Sequence, residues 1–379
     1  MNKTTFPLLT FLSLLLVIEA KAQRFKKDVF ASMDSAVNIR YGEAMNIKNE
    51  MESLLLDIFM PSEDTMKKRP MVVFIHGGGF QNGNRKVAIA KRTINIFVPK
   101  GYVTASISYR LGIEEPKSNK DYAEAMYRAQ QDARSAIRFL KANATRWNID
   151  TSQVFVCGTS AGAMTSLGLA YMDENEVPVD VNKNKWGPLE DKNENGLHSS
   201  KVKAVMNLWG SMIDYRWINE GDVPLYNSAG TTDKTVPYDS SFDYHNFKYG
   251  PYILFQRCLA SGIATAWRPF YGVGHTLDSK QPMLDSCFSE MADWLYMQLK
   301  INTSAKAQIV SEIDPKNKNN INSGYITLQL PIADEISHFL TGPAILSNAW
   351  CKPLLVWHHA SHKWKLPSPP LHPSFHRSS

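Results

Sequence analysis

Short, unbroken apolar runs alternate along this chain with longer segments whose apolar residues recur every three or four positions. Leu54 to Pro61 reads as a strand stopped by proline. Met71 to Ile75 is apolar throughout, as in a strand covered on both faces. Tyr102 to Tyr109 predicts a third strand. From Tyr122 to Trp147 the spacing turns helical, with Ala125, Tyr127, Ala129, Ala133, Ile137 and Leu140 on one stripe. Val154 to Cys157 is again a short strand, and a helix resumes over Ala161 to Tyr171. Val202 to Trp209, Val223 to Tyr226 and Thr265 to Tyr271 read as extended, and Tyr249 to Ser261 and Pro282 to Lys300 as helical. This alternation predicts an α/β fold, a mostly parallel central sheet with helices on both faces. Right-handed crossovers place the C-terminal ends of the strands on one rim, where sites form.

Three segments fall outside that rhythm. Lys3, the uncharged run from Phe6 to Ile18 and the sequence Ala20-Lys21-Ala22 match a secretory signal. Residues 1–22 are therefore expected to be cleaved and the protein secreted or periplasmic, in a compartment that tolerates disulfides. No later stretch reaches membrane-spanning length, so no stable membrane insertion is expected after cleavage. Residues 173–200 are rich in Asn, Asp and Lys and read as a polar insertion at the rim, a candidate lid. Residues 301–379 contain no Asp or Glu after Glu335 and gather five histidines between His358 and His376. That tail reads as disordered or non-native, and no role is assigned to it, although His-rich tracts can bind metal. The catalytic domain is then 23–300.

Composition narrows the function classes. At 44% hydrophobic and 21% charged, the 379 residues exclude wholesale disorder and a fibre. The formal charge of +6 is thinly spread with no dense Lys/Arg block, so no nucleic-acid partner is expected. Four cysteines without CxxC spacing do not make a zinc module or a disulfide scaffold.

The chemistry concentrates in two glycine-rich turns. Gly158-Thr159-Ser160-Ala161-Gly162 gives Gly-x-Ser-x-Gly between a buried strand and a helix, a sharp turn that lifts the Ser160 hydroxyl above the rim. His76-Gly77-Gly78-Gly79-Phe80 follows the strand ending at Ile75 and leaves backbone N–H groups free to face an anionic oxygen. It lacks the spacing of a phosphate loop. His76 is expected to orient this loop rather than act as a base. A serine nucleophile needs a base and an orienting carboxylate. Of the other histidines before the tail, His198 lies in the polar insertion and His245 in a polar loop. His275 follows the last strand on a Gly-rich turn and comes after every candidate acid. Asp233, on the loop beyond the strand from Val223, is the leading acid, with Asp239, Asp243 and Asp214 as alternatives.

Taken together with Leu56-Asp57-Ile58-Phe59-Met60-Pro61 and Asp233-Lys234-Thr235-Val236-Pro237, these motifs resemble the α/β-hydrolase superfamily. Within it, the chain is similar to secreted carboxylesterases with an HGGG motif, the hormone-sensitive-lipase-like and bacterial acetyl- or feruloyl-esterase-like branches. The resemblance covers residues 40–300 and implies an α/β-hydrolase fold. It also implies Ser160 as nucleophile, His275 as general base, Asp233 as its carboxylate, and an oxyanion hole from the N–H groups of Gly78, Gly79 and Ala161. No cofactor or metal is expected, and the substrate is a small ester or an esterified polysaccharide. A serine peptidase on the same fold, or a non-catalytic binding relative, is the alternative. Ser228-Ala229-Gly230 departs from the family's His-Gly, and Ala163 stands where a glycine is frequent. Trp209, Tyr215 and Trp217 are candidates for a pocket wall or for the core. Cys258 and Cys287, in the helices flanking the final strand, are candidates for a disulfide.

Overall fold

A computed structural model describes residues 24–113, 118–190, 195–243, 246–275 and 281–300, plus the backbone of two short strands in the tail. The expected signal (residues 1–22), His245 and nearly all of 301–379, including its histidines, lie outside the described residues, as does the Asp243 side chain. By compactness the chain divides into 1–332 and 333–379, the second part wholly outside them.

Among the described residues, ten strands and six helices precede the tail. The strands are β1 (Met33–Met45), β2 (Met51–Pro61), β3 (Arg69–Ile75), β4 (Val103–Ile107), β5 (Ile149–Thr159), β6 (Ala204–Leu208), β7 (Leu225–Gly230), β8 (Ser240–Asp243), β9 (Asn246–Tyr249) and β10 (Thr265–Phe270). The helices are α1 (Ala88–Phe97), α2 (Asn119–Ala142), α3 (Ala161–Tyr171), α4 (Lys183–Trp186), α5 (Pro251–Ala260) and α6 (Gln281–Lys300). In the tail, β11 (Ala307–Val310) and β12 (Ile326–Gln329) pair antiparallel.

Eight strands form one sheet in the order β1-β2-β4-β3-β5-β6-β7-β10. The β1–β2 and β2–β4 pairs are antiparallel and the rest parallel. The apolar runs alternate between the two faces as a pleat requires. Val73, Ile75, Val154 and Val156 pack beneath α2, α3 and α5, whereas Val72, Phe74, Phe155 and Cys157 pack beneath α1 and α6. The long helix α2 begins with a capping box, the Ser118 side chain accepting from Asp121 N while the Asp121 carboxylate accepts from Ser118 N (2.8 Å). Arg110, just past β4, is tied to this helix through Asp132, with Nη2 to Oδ1 at 2.7 Å and backbone N to Oδ2 at 2.7 Å.

Besides the short β8, β9 and α4, two elements escape the apolar pattern. The first, β1, is an edge strand with irregular register and mostly exposed side chains, so its hydrophobic alternation is broken. The second, α1, mixes Lys, Arg and Asn with its buried Ala90, Ile94 and Phe97.

The described residues of the 173–200 insertion, a candidate lid, are held along α2. Tyr127 donates to Gly187 O (2.8 Å), Gln131 to the carbonyls of Trp186 and Pro188, and Arg134 and Arg138 both bind Glu190. Its apolar residues Val177, Val181, Trp186 and Leu189 join the core on that side, which holds the strap to the helix. Cys258 and Cys287 are both free thiols. They belong to core clusters on opposite faces of the sheet, so a disulfide would have to pass through it. No helix among the described residues is long and apolar enough to cross a membrane.

Candidate active site

Every candidate reacting group lies just beyond the C-terminal end of a parallel strand. Ser160 follows β5 and opens α3 with φ 51° and ψ −121°, a conformation rare for a residue with a Cβ. Its N–H donates to Leu208 O (3.0 Å), which anchors the turn to the end of β6. The flanking glycines are required by close backbone approach. A Cβ on Gly162 would sit 2.6 Å from the Ile75 carbonyl carbon and nearer still to the oxygens of Ile75 and His76. A Cβ on Gly158 would lie 2.6 Å from Ala163 N. Ala163 fits in place of the family's glycine because Gly210 faces it: a Cβ there would be 2.5 Å from that of Ala163.

Two loops bring the other members to the serine. The segment after β7 is laced to the segment after β10, Thr231 N donating to Phe270 O (3.0 Å) and Thr232 N to Val273 O (3.0 Å). Gly272 N donates back to Thr231 Oγ1 (3.0 Å). His275 Nδ1 then donates to Asp233 Oδ2 at 2.7 Å, and Nε2 lies 2.9 Å from Ser160 Oγ. The Asp233 side chain is fully buried, and its second oxygen accepts from the N–H groups of Thr235 (2.8 Å) and Val236 (2.9 Å). With three donors aimed at it, the carboxylate is held in one orientation and fixes the imidazole with Nε2 toward the hydroxyl. The alternatives lie elsewhere. Asp214 is spent on Arg216, Asp239 accepts from the adjacent Ser240 N, and His198 is an exposed turn residue.

The triple-glycine loop lies against the elbow: a Cβ on Gly77 would come within 3.2 Å of Ser160 Cβ. Gly78 and Gly79 take φ of 110° and 61°, conformations open to glycine at little cost. Among the described residues, no carbonyl accepts from the N–H of Gly78, Gly79 or Ala161. Ala161 also opens α3, whose positive end faces this side. His76 is buried, stacked on Tyr109 with ring centroids 4.4 Å apart, and donates through Nδ1 to Gly77 O (2.6 Å). Burial pushes its imidazole down to about 4, so it stays neutral, and it makes no bond to Ser160. It buttresses the loop, as expected.

Sequence reasoning missed the support beneath the elbow. Asn207 on β6 donates to Asn227 Oδ1 on β7 (2.9 Å) and accepts from Gly210 N (2.8 Å), fixing the turn that faces Ala163. The signal was present as an Asn inside each of two apolar strands, a placement costly unless paired. Trp209 and Trp217 are core residues, whereas Tyr215 is half-buried against Tyr249. No group of three or more His, Cys, Asp or Glu able to hold a metal occurs among the described residues.

The BD-FAE family model, an α/β-hydrolase esterase family, matches residues 56–215. Mouse carboxylesterase 3B is 29% identical over 136 residues, 35% of this chain and 23% of that protein. Gut esterase 1 of Caenorhabditis elegans is 28% identical over 116 residues, covering 30% and 20%. Neuroligin-like protein glit-1 of the same organism is 34% identical over 114 residues, covering 30% and 15%. The chain thus spans less than a quarter of the length of these relatives. Esterase 2 of Thermogutta terrifontis, solved with propionate bound, superposes with a TM-score of 0.51 at 19% identity, covering 71% of this chain and 95% of the other. Its apo form gives 0.51 at 20% identity, covering 72% and 96%. Fold, matched segment and relatives point the same way: the chain has an α/β-hydrolase fold and is similar to esterases over residues 56–215.

Proposed function

We propose that this protein is an exported serine carboxylesterase that acts through Ser160, His275 and Asp233. The observation that carries the reading is the unbroken relay from Ser160 Oγ through both imidazole nitrogens to a buried carboxylate, at 2.9 and 2.7 Å. His275 Nε2 takes the hydroxyl proton as Ser160 Oγ attacks the acyl carbon. The developing oxyanion is stabilised by the N–H groups of Ala161, Gly78 and Gly79. The imidazolium, stabilised by Asp233, returns the proton to the departing alcohol. Water then attacks the acyl-enzyme with the same base assisting, and Ser160 is regenerated.

Acetyl or feruloyl esters of plant polysaccharides are the proposed substrates. The Lys3 to Ala22 signal pattern supports export, the esterase family match supports ester hydrolysis, and the acyl class rests on the motif resemblance. The test pairs purified wild type with Ser160→Ala on p-nitrophenyl acetate, longer acyl esters, methyl ferulate and acetylated xylan. Turnover that vanishes in the variant supports the assignment, and the panel reports the acyl class. Turnover that survives in Ser160→Ala overturns it, and a preference for peptide amides reassigns the same residues to a peptidase.

A further inference from the structure

The loop that carries Gly78 and Gly79 holds four glycines between His76 and Arg85, three of them with positive φ. Such a segment has much conformational freedom to lose, so its donors stay aimed only if both ends are held. The front end rests on the buried His76–Tyr109 stack, against which Gly83 also folds: a Cβ on Gly83 would be 2.6 Å from His76 Nδ1. In the middle, Gly112 N donates to the carbonyl of buried Phe80 (2.8 Å).

The far end is gripped at Arg85 from β4, β2 and β1. Its N–H donates to Ser108 Oγ (3.2 Å), and its carbonyl accepts from Ser106 Oγ on β4 (2.8 Å). Its Nε donates to Asp57 Oδ1 on β2 (2.8 Å), and its Nη2 to Asn38 Oδ1. The same Asp57 oxygen accepts from Asn38 N (2.7 Å), at a register irregularity of β1 where Asn38 has φ 56°. Asp57 is 3% exposed and stands directly opposite Ser106 in the β2–β4 register. A buried carboxylate in the middle of an apolar strand is costly unless it is paired, and here its partner is the residue that ends the glycine loop.

We propose that Asp57 and Arg85, with the hydroxyls of Ser106 and Ser108, form a positioning staple that sets where the Gly78 and Gly79 donors point. This rests on the reading of those glycines as oxyanion donors. The staple acts on the transition state, because the oxyanion exists there and not in the bound ester, so its loss lowers kcat rather than raising KM. Removing a whole oxyanion donor costs about 10²–10³ in kcat, and loosening two donors costs less.

The test measures kcat, KM, the acid limb of the pH profile and the melting curve for wild type, Arg85→Ala, Arg85→Lys and Ser106→Ala on p-nitrophenyl acetate. Arg85→Ala is expected to lower kcat about tenfold with KM within about twofold and the acid-limb midpoint unmoved. Arg85→Lys regains part of the loss, since one nitrogen still reaches Asp57. Ser106→Ala, a small change that preserves the fold, lowers kcat about threefold in the same pattern. The staple alone is overturned if folded Ser106→Ala and Arg85→Lys keep wild-type kcat, or if turnover per folded molecule is unchanged across the set. Absence of Ser160-dependent turnover in the wild type overturns the catalytic reading and the staple together.

Discussion

Gly162→Ala tests whether the elbow's geometry, rather than its residue types, produces reactivity. The added Cβ would lie 2.6 Å from the Ile75 carbonyl carbon, with the carbonyl oxygens of Ile75 and His76 closer. Ordinary carbon contacts sit at about 3.5–4.0 Å, so α3 must retreat from β3 by roughly 1 Å. Nothing flexible can yield, because every obstructing atom is backbone of the central sheet or of the loop it feeds. Overpacking of this kind costs about 1–3 kcal/mol, a melting-temperature drop of several degrees in a domain of this size. The larger effect falls on activity. Ser160 opens the displaced helix while His275 is held by other loops, and a misplacement of about 1 Å can lower turnover about 10²-fold. Gly221→Ala serves as the control. Its φ of 89° strains a side chain as well, but nothing lies within 4 Å of its Cβ and it precedes the N-terminal end of β7, whereas Asp233 follows the other end. Esterase kinetics and melting curves for both variants decide the matter. A Gly162→Ala protein with wild-type kcat/KM would refute the argument that close approach of β3 and α3 sets the position of the hydroxyl.

Asp233→Asn, which keeps the shape but no longer fixes the imidazole tautomer, is expected to lower kcat about 10⁴-fold with a near-native melting curve. Stability should fall as pH drops from 6.5 toward 4. In that window the unfolded chain protonates His76 while the folded one, held to about 4 by burial, does not. The full difference is worth about 3 kcal/mol; urea midpoints across pH 7 to 5 will show it, and His76→Asn should flatten that slope. Cys258 and Cys287, whose thiols burial pushes up to about 12 and about 11, should react with a thiol reagent only after denaturation, and reductant should not shift the melt. Asp132→Ala leaves the buried Arg110 guanidinium without its carboxylate, an expected loss of about 3–5 kcal/mol by chemical denaturation.

Local pattern and motif spacing were enough to establish the alternation of strands and helices, the serine on its glycine-flanked turn and the donor loop after β3. Those features are local: a buried parallel strand must be apolar, and a turn at φ 51° beside a close-packed helix must be flanked by glycine. Asp233 was less legible, because Asp214, Asp239 and Asp243 share its residue type and its stretch of chain. It is singled out by the lacing of the β7 and β10 loops, which buries it against His275 across a separation no sequence window spans. The edge strand β1, the strap along α2 and the two free thiols likewise depended on what packs against what. An edge strand pairs on one side only, a polar segment can clad a helix or cross a rim, and two cysteines in neighbouring helices can lie on opposite sides of a sheet. Burial and long-range pairing are properties of the assembled layers, and there alone those alternatives were decided.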